Sequence, residues 1–227
     1  MLRIKDLERR SDMIRTTSAL NPAGGHSFVR RVRPRTRKLT MQILRAQDYR
    51  RMPWKNGAGE TTEIAVFPAG ADISAFDWRI SMATVSEDGL FSIFPGIDRT
   101  LSILDGEGMA LDIDGKHKAM LTRDSAPLAF AADMPVEARL TAGPILDLNV
   151  MTRRGRFSHT VERHDIDADL QITPRQETCI VLPLGPATAV YHGKQYALSA
   201  RDSIVLNDAA TLRVAEQTGV FLIRIKQ

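Results

Sequence analysis

From Met41 to the C-terminus, short runs of β-branched and aromatic residues are cut by Gly, Pro, Asn and Asp at intervals of roughly eight to twelve residues. No stretch of about a dozen residues in this region carries a helical apolar period. A chain punctuated this often can only build an all-β sandwich or barrel. Residues 76–85 give the clearest strand. Phe76, Trp78, Ile80 and Met82 share one face, and Asp77, Arg79, Ser81 and Ala83 share the other. Residues 62–67 alternate only in part. Residues 91–94 read as a further strand, with Ser92 and Phe94 on one face. Residues 99–104 and 109–113 end at Asp105-Gly106 and Asp114-Gly115, a dipeptide that favours tight turns between consecutive strands. The layout of residues 101–139 returns in residues 179–214, which predicts two tandem β-barrels of one type, 41–150 and 151–227.

Residues 1–40 are excluded from this fold on grounds of charge. They hold eleven Lys or Arg and three Asp or Glu, a charge of +8, whereas the other 187 residues hold twenty and twenty-four, a charge of −4. Six of the nine residues 30–38 are basic. With no apolar core the segment does not read as a secretory signal. It reads as a disordered extension or a mis-set start in preference to a nucleic-acid arm. The longest uncharged apolar run, residues 178–193, is too short for a membrane helix and is broken by Pro183, Gly185 and Pro186. The single cysteine, Cys179, excludes an internal disulfide and suits a reducing compartment, the cytoplasm.

Conventional catalytic motifs are missing. There is no nucleophile elbow, Walker loop or paired-cysteine motif, and Gly57-Ala58-Gly59 lacks the strand and helix of a dinucleotide site. Two imidazoles converge on one metal ion when they stand two apart on a strand. His159 and His164 are five apart in a polar stretch that reads as a solvated loop, and His117 and His192 sit at turns. No metal or other cofactor is expected. The denser constellation is Trp54, Asn56, Glu63, Arg79, Ser92, Phe94, Arg99, Asp147, Asn149 and Met151. If the polar strand faces point inward, Arg79, Arg99, Asn149 and Glu63 line one cavity. Two buried guanidiniums would favour a carboxylate, held through bidentate hydrogen bonds. The alternative is that these faces are the solvated side of an open sheet, and the residues alone favour that alternative.

A resemblance reverses this weighting. WKNGAGETTEI (54–64), FDWRISMATV (76–85), DGLFSIFPGIDR (88–99) and GPILDLNVMTRRG (143–155) resemble, in this order, the motifs of the HutD/Ves family. The likeness is specific over residues 54–155 and weaker beyond. Ala58, where a glycine is common, and Leu90, where a proline is common, depart from the pattern. The resemblance implies a two-barrel cupin (a bicupin) with a metal-free pocket in one barrel. It also implies a part in limiting expression of the histidine-utilisation pathway, and a small acidic intermediate such as N-formylglutamate as ligand. Its matching positions put Trp54, Asn56, Glu63, Arg79, Ser92, Phe94, Arg99, Asn149 and Met151 at the ligand.

Three functions follow from these residues. The first is a binding protein with Arg99 as carboxylate anchor and Arg79, Asn149 and Ser92 as hydrogen-bond partners. The second is a metal-free isomerase or hydrolase, with Glu63 and Asp147 as acid and base. The third is a nucleic-acid-binding regulator using the basic segment and Arg153-Arg154-Gly155-Arg156, and it ranks last. Sheet edges or outer faces could support a homodimer.

Overall fold

The computed structural model describes residues 40–227. The expectation for the basic extension falls on residues 1–39, outside the described residues. The first strands are β1 (Met41–Leu44), β2 (Arg50–Pro53), β3 (Gly59–Phe67), β4 (Trp78–Val85) and β5 (Gly89–Leu90). Then come β6 (Ile97–Asp105), β7 (Met109–Ile113), β8 (His117–Leu121), β9 (Leu128–Ala131), β10 (Val136–Leu140) and β11 (Ile145–Arg153). The remainder is β12 (Ser158–Ile166), β13 (Leu170–Ile172), β14 (Thr178–Pro183), β15 (Ala187–Tyr191), β16 (Lys194–Leu198), β17 (Ser203–Leu206), β18 (Ala210–Arg213) and β19 (Thr218–Lys226). One 3-10 turn, Ala46–Asp48, is the only helical element among the described residues. No described helix is long and apolar enough to cross a membrane.

The strands form four sheets, ordered β2-β3-β4-β11-β6-β9, β5-β10-β7-β8, β1-β17-β14-β19-β12 and β13-β18-β15-β16. Within them one eight-strand topology occurs twice. β4 to β11 give the orders β4-β11-β6-β9 and β5-β10-β7-β8, and β12 to β19 give β12-β19-β14-β17 and β13-β18-β15-β16. The similarity between residues 101–139 and 179–214 is the sequence trace of this repeat. β1 departs from a division at residue 150. It pairs with β17, Met41 opposite Leu206, because Met41 and Ile43 pack on the core of the second half. Asp202 secures the connection by accepting hydrogen bonds from Ala46 N and from Arg45.

Alternation of side chains sorts the cores into layers. Trp78, Ile80 and Met82 of β4 meet Ile180, Leu182, Phe221 and Ile223 between the two large sheets. Ala83, Leu101 and Ile103 face Leu111, Val136 and Ala138 of the first four-stranded sheet. Val181, Ile204 and Leu222 face Ala189 and Leu212 of the second. The odd-numbered face of β4, expected to be polar, is therefore an interior face.

Four local readings change. Phe76 precedes β4 and does not follow its alternation, since its ring lies beside Phe94, with centroids 6.2 Å apart. Residues 91–94 are not a strand. Phe91 N donates to Val136 O and Phe94 N to Ala132 O, so residues three apart are the equivalent ones. Asp114-Gly115 is a hairpin turn with both φ positive, whereas Asp105-Gly106 carries the chain from one sheet to the other. His159 lies in β12 and not in a solvated loop.

Candidate functional site

Three parallel rows of side chains build the inner face of the six-stranded sheet. Val66, Arg79, Met151, Arg99 and Phe130 stand in one register row across β3, β4, β11, β6 and β9. Glu63, Ser81, Asn149 and Leu101 make the next row, and Thr61, Ala83, Asp147 and Ile103 the one after. An irregularity between Glu63 and Ala65 is what lets Glu63 and Val66 share this face. A β-bulge inserts one residue and reverses the alternation beyond it.

The two arginines differ in how their charge is met. Arg79 Nε donates to Glu63 Oε2 at 2.8 Å, and Nη1 lies 3.4 Å from Ser81 Oγ. Both partners are largely buried, so the pair is internally neutral. Arg99 is 5% exposed and has no ion pair among the described residues. Its Nη2 reaches only the Met151 thioether, at 4.0 Å, and its buried Nε has no hydrogen-bond partner among them. Three aromatic rings surround the guanidinium carbon, with centroids at 5.4 Å (Phe91), 5.3 Å (Phe94) and 5.9 Å (Phe130). Their electron-rich faces partly replace lost water. Burial still pushes the guanidinium down to about 10, opposed by the charge of Asp147 and assisted by that of Arg79.

Asp147 is 1% exposed and accepts a 2.6 Å hydrogen bond from Asn149 Nδ2. Burial pushes its carboxyl up to about 7, held back by the Arg99 charge and by hydrogen bonds from Ala83 N and Asn149. Desolvation thus dominates at both members of the Arg99–Asp147 pair.

The remaining predicted residues lie around this group. Trp54 is half-buried and donates from Nε1 to Thr61 Oγ1 at 2.8 Å. It covers Gly59, where an added Cβ would stand 2.2 Å from Thr84 O and 3.0 Å from the indole. Asn56 is exposed and accepts from Ala58 N at 3.2 Å, which shapes the turn beneath the indole. Ser92 is exposed, because Phe91 and Phe94 are the residues of that segment turned toward Arg99. The structure brings together Glu63, Arg79, Ser81, Phe94, Arg99, Asp147, Asn149 and Met151. Phe91 and Phe130 were missed as site residues. Phe130 faces Arg99 through strand register, which the sequence does not display, and Phe91 through the three-residue period of its segment.

Arg153 and Arg156 both pair with buried Asp77, and Arg154 pairs with Asp98 and Asp133. These arginines fasten the β11–β12 turn. Among the described residues no cluster of three His, Cys, Asp or Glu could hold a metal ion. The second interior carries apolar Val181, Ile204, Leu212 and Leu222 at its centre.

The two pairs of facing sheets of this topology make a cupin-like β-protein. A cupin conserved-barrel protein from Leptotrichia buccalis superposes with a TM-score of 0.52 at 13% identity over 77% of this chain and 92% of its own, a likeness of fold alone. Within that class the chain belongs to the HutD family, whose model matches residues 46–223. An uncharacterised 21.2 kDa protein in the hutC 3′ region of Pseudomonas putida is 40% identical over 125 residues, 55% of this chain. Protein Ves of Cronobacter sakazakii is 42% identical over 113 residues, 48% of this chain. These alignments span 65% and 60% of the two relatives' own lengths. A conserved protein of unknown function from Pseudomonas aeruginosa matches with a TM-score of 0.77 and 32% identity, over 83% of this chain and all of its own. HutD from Pseudomonas fluorescens gives 0.69 and 28% over the same shares.

Proposed function

We propose that each pair of facing sheets is a cupin-type barrel and that the chain is a cytoplasmic, metal-free binding protein for a small carboxylate, modulating histidine utilisation. The ligand class is an acidic intermediate of histidine degradation such as N-formylglutamate, with Arg99 as its anchor. The observation that carries this is the guanidinium of Arg99, buried without a carboxylate partner among the described residues and with Nε unmatched. A buried cation is normally paired, because removing it from water costs several kcal/mol. An anion arriving at Arg99 supplies the acceptors that the fold leaves out, and Phe91, Phe94 and Phe130 exclude competing water. The hutC-region and HutD names of the relatives support the pathway assignment.

Calorimetric titration of the full chain with N-formyl-L-glutamate, urocanate and formate tests the reading. Saturable binding of at least one of them, lost in Arg99→Ala with the near-ultraviolet circular dichroism retained, is the expected outcome. Unchanged affinity in that variant removes Arg99 as the anchor.

A second reading, a metal-free isomerase or hydrolase, draws on one observation. A carboxyl group at about 7, as at Asp147, is suited to general acid–base work at neutral pH. It requires turnover of a pathway intermediate that falls at least about a hundredfold in Asp147→Asn. Absence of turnover with every candidate intermediate leaves the binding function.

A further inference from the structure

The interior charges facing Asp147 can be counted strand by strand. β3 supplies Glu63, β4 supplies Arg79, β6 supplies Arg99, and β11 itself adds neutral Asn149. The facing four-stranded sheet contributes buried apolar residues, among them Met109, Leu111, Ile113, Val136 and Ala138. Glu63 and Arg79 neutralise each other through a 2.8 Å contact. One positive charge is left, on Arg99, and one acidic group, Asp147, sits in the same interior without touching it.

We propose that this interior holds a single negative charge against Arg99, and that an anion bound at Arg99 displaces that charge from Asp147, which takes up a proton as the ligand enters. This inference rests on the reading of Arg99 as an anion site and extends it to proton-linked binding. It also restricts the ligand to one carboxylate inside the barrel. A second carboxylate there would meet Glu63 and Asp147 with no unpaired cation, so any further acidic group must lie toward solvent.

The physical basis is Coulombic. Burial favours the neutral carboxyl of Asp147, and the charge of Arg99 is the main influence holding its ionised form in place. A ligand carboxylate on Arg99 cancels that influence, leaving burial unopposed. Proton balance is simple: Asp147 carboxylate and one proton from solvent become the carboxylic acid, and no other bond changes.

The test is calorimetry of the full chain with N-formyl-L-glutamate and with formate at pH 7.5, in HEPES and in Tris buffer. The dependence of the observed heat on buffer ionisation enthalpy counts protons taken up. About three quarters of a proton per site is expected for the native chain, given an acid at about 7 that becomes fully protonated on binding. In Asp147→Asn the dependence should vanish, whatever happens to affinity. The native pH profile is a second readout that needs no variant: the Kd should rise about 25-fold from pH 6.5 to 8.5. Binding with no buffer dependence and a flat Kd overturns proton linkage and leaves the anion site standing. Uptake that persists in Asp147→Asn overturns the assignment to Asp147. No saturable binding of either probe overturns the anion site, and the linkage with it.

Discussion

Replacing Arg99 with Met should make the ligand-free protein more stable. A buried cation placed for a ligand lowers stability until the ligand arrives, whereas a buried cation placed for structure raises it. The fall of the Arg99 guanidinium from its ordinary value to about 10 corresponds to roughly 3 kcal/mol against its charged form. The three ring faces return about 1–2 kcal/mol of that. Met has similar length, keeps contact with Phe91, Phe94 and Phe130, and carries no charge into the interior. A net gain of about 1–2 kcal/mol follows, or about 2–8 °C in Tm for a chain of this size. The assay is urea and thermal unfolding at pH 6, where Asp147 remains mostly protonated and does not need the Arg99 charge. Arg79→Met is the control. It leaves the Glu63 carboxylate unpaired and should lose about 2–4 kcal/mol. Above pH 7 the gain in Arg99→Met should shrink by up to about 1.4 kcal/mol per pH unit, because Asp147 then holds its proton further into the alkaline range. A loss of more than about 1 kcal/mol in Arg99→Met at pH 6 would refute the reasoning, since a guanidinium whose removal destabilises the fold is a structural one.

Two opposed titrations should offset each other in mildly acid solution. Asp147, raised to about 7 in the folded state, makes stability fall as pH rises from about 4 to 7, by roughly 4 kcal/mol in all. His159 is bonded through Nε2 to Thr100 Oγ1 and through Nδ1 to Thr152 Oγ1, both at 2.8 Å, and burial pushes it down to about 4. It makes stability rise from about pH 4 to 6.5, by roughly 3 kcal/mol. Urea midpoints between pH 4.5 and 6.5 should therefore climb in Asp147→Asn and decline in His159→Gln, each relative to the native chain. Profiles parallel to the native one would count against both assignments. Gly108→Ala should cost at least about 2 kcal/mol by the same assay, because its φ is +117° and an added Cβ would stand 2.1 Å from Leu121 O. A loss under about 0.5 kcal/mol there would mean that the β8 backbone can give way.

Local order was the legible part of this chain. Turn residues and two-residue alternation located most strands, and the alternation of Trp78, Ile80 and Met82 against Arg79, Ser81 and Ala83 sorted β4 correctly. What alternation cannot tell is which face has a second sheet over it. The polar face was weighed as solvated because nothing local records the sheet of β5, β7, β8 and β10 above it. The extended segment at residues 91–94 misled for a different reason. Its backbone bonds recur every third residue, so the rule that puts Ser92 beside Phe94 does not apply. His159 was invisible because its partners, Thr100 and Thr152, belong to the other half of the fold. Its polar sequence neighbours describe only the exposed side of β12.

The repeated topology permits a comparison of the two interiors within one chain. At the centre of the first, β6 and β11 place Arg99, Asp147 and Asn149. At the centre of the second, the equivalent strands β14 and β19 place Cys179, Val181, Val220 and Leu222, and the arginine of β19, Arg224, is paired with Glu177 at 2.9 Å. The frame thus folds with an apolar filling, and strand topology does not demand the charges of the first half. Buried Arg99 and Asp147 each shift against their charged form, so they lower the stability of the half that holds them. The second half, with its apolar core and the shared core between the large sheets, offsets that loss. A polar cluster that the fold tolerates without needing is what the proposed anion site requires.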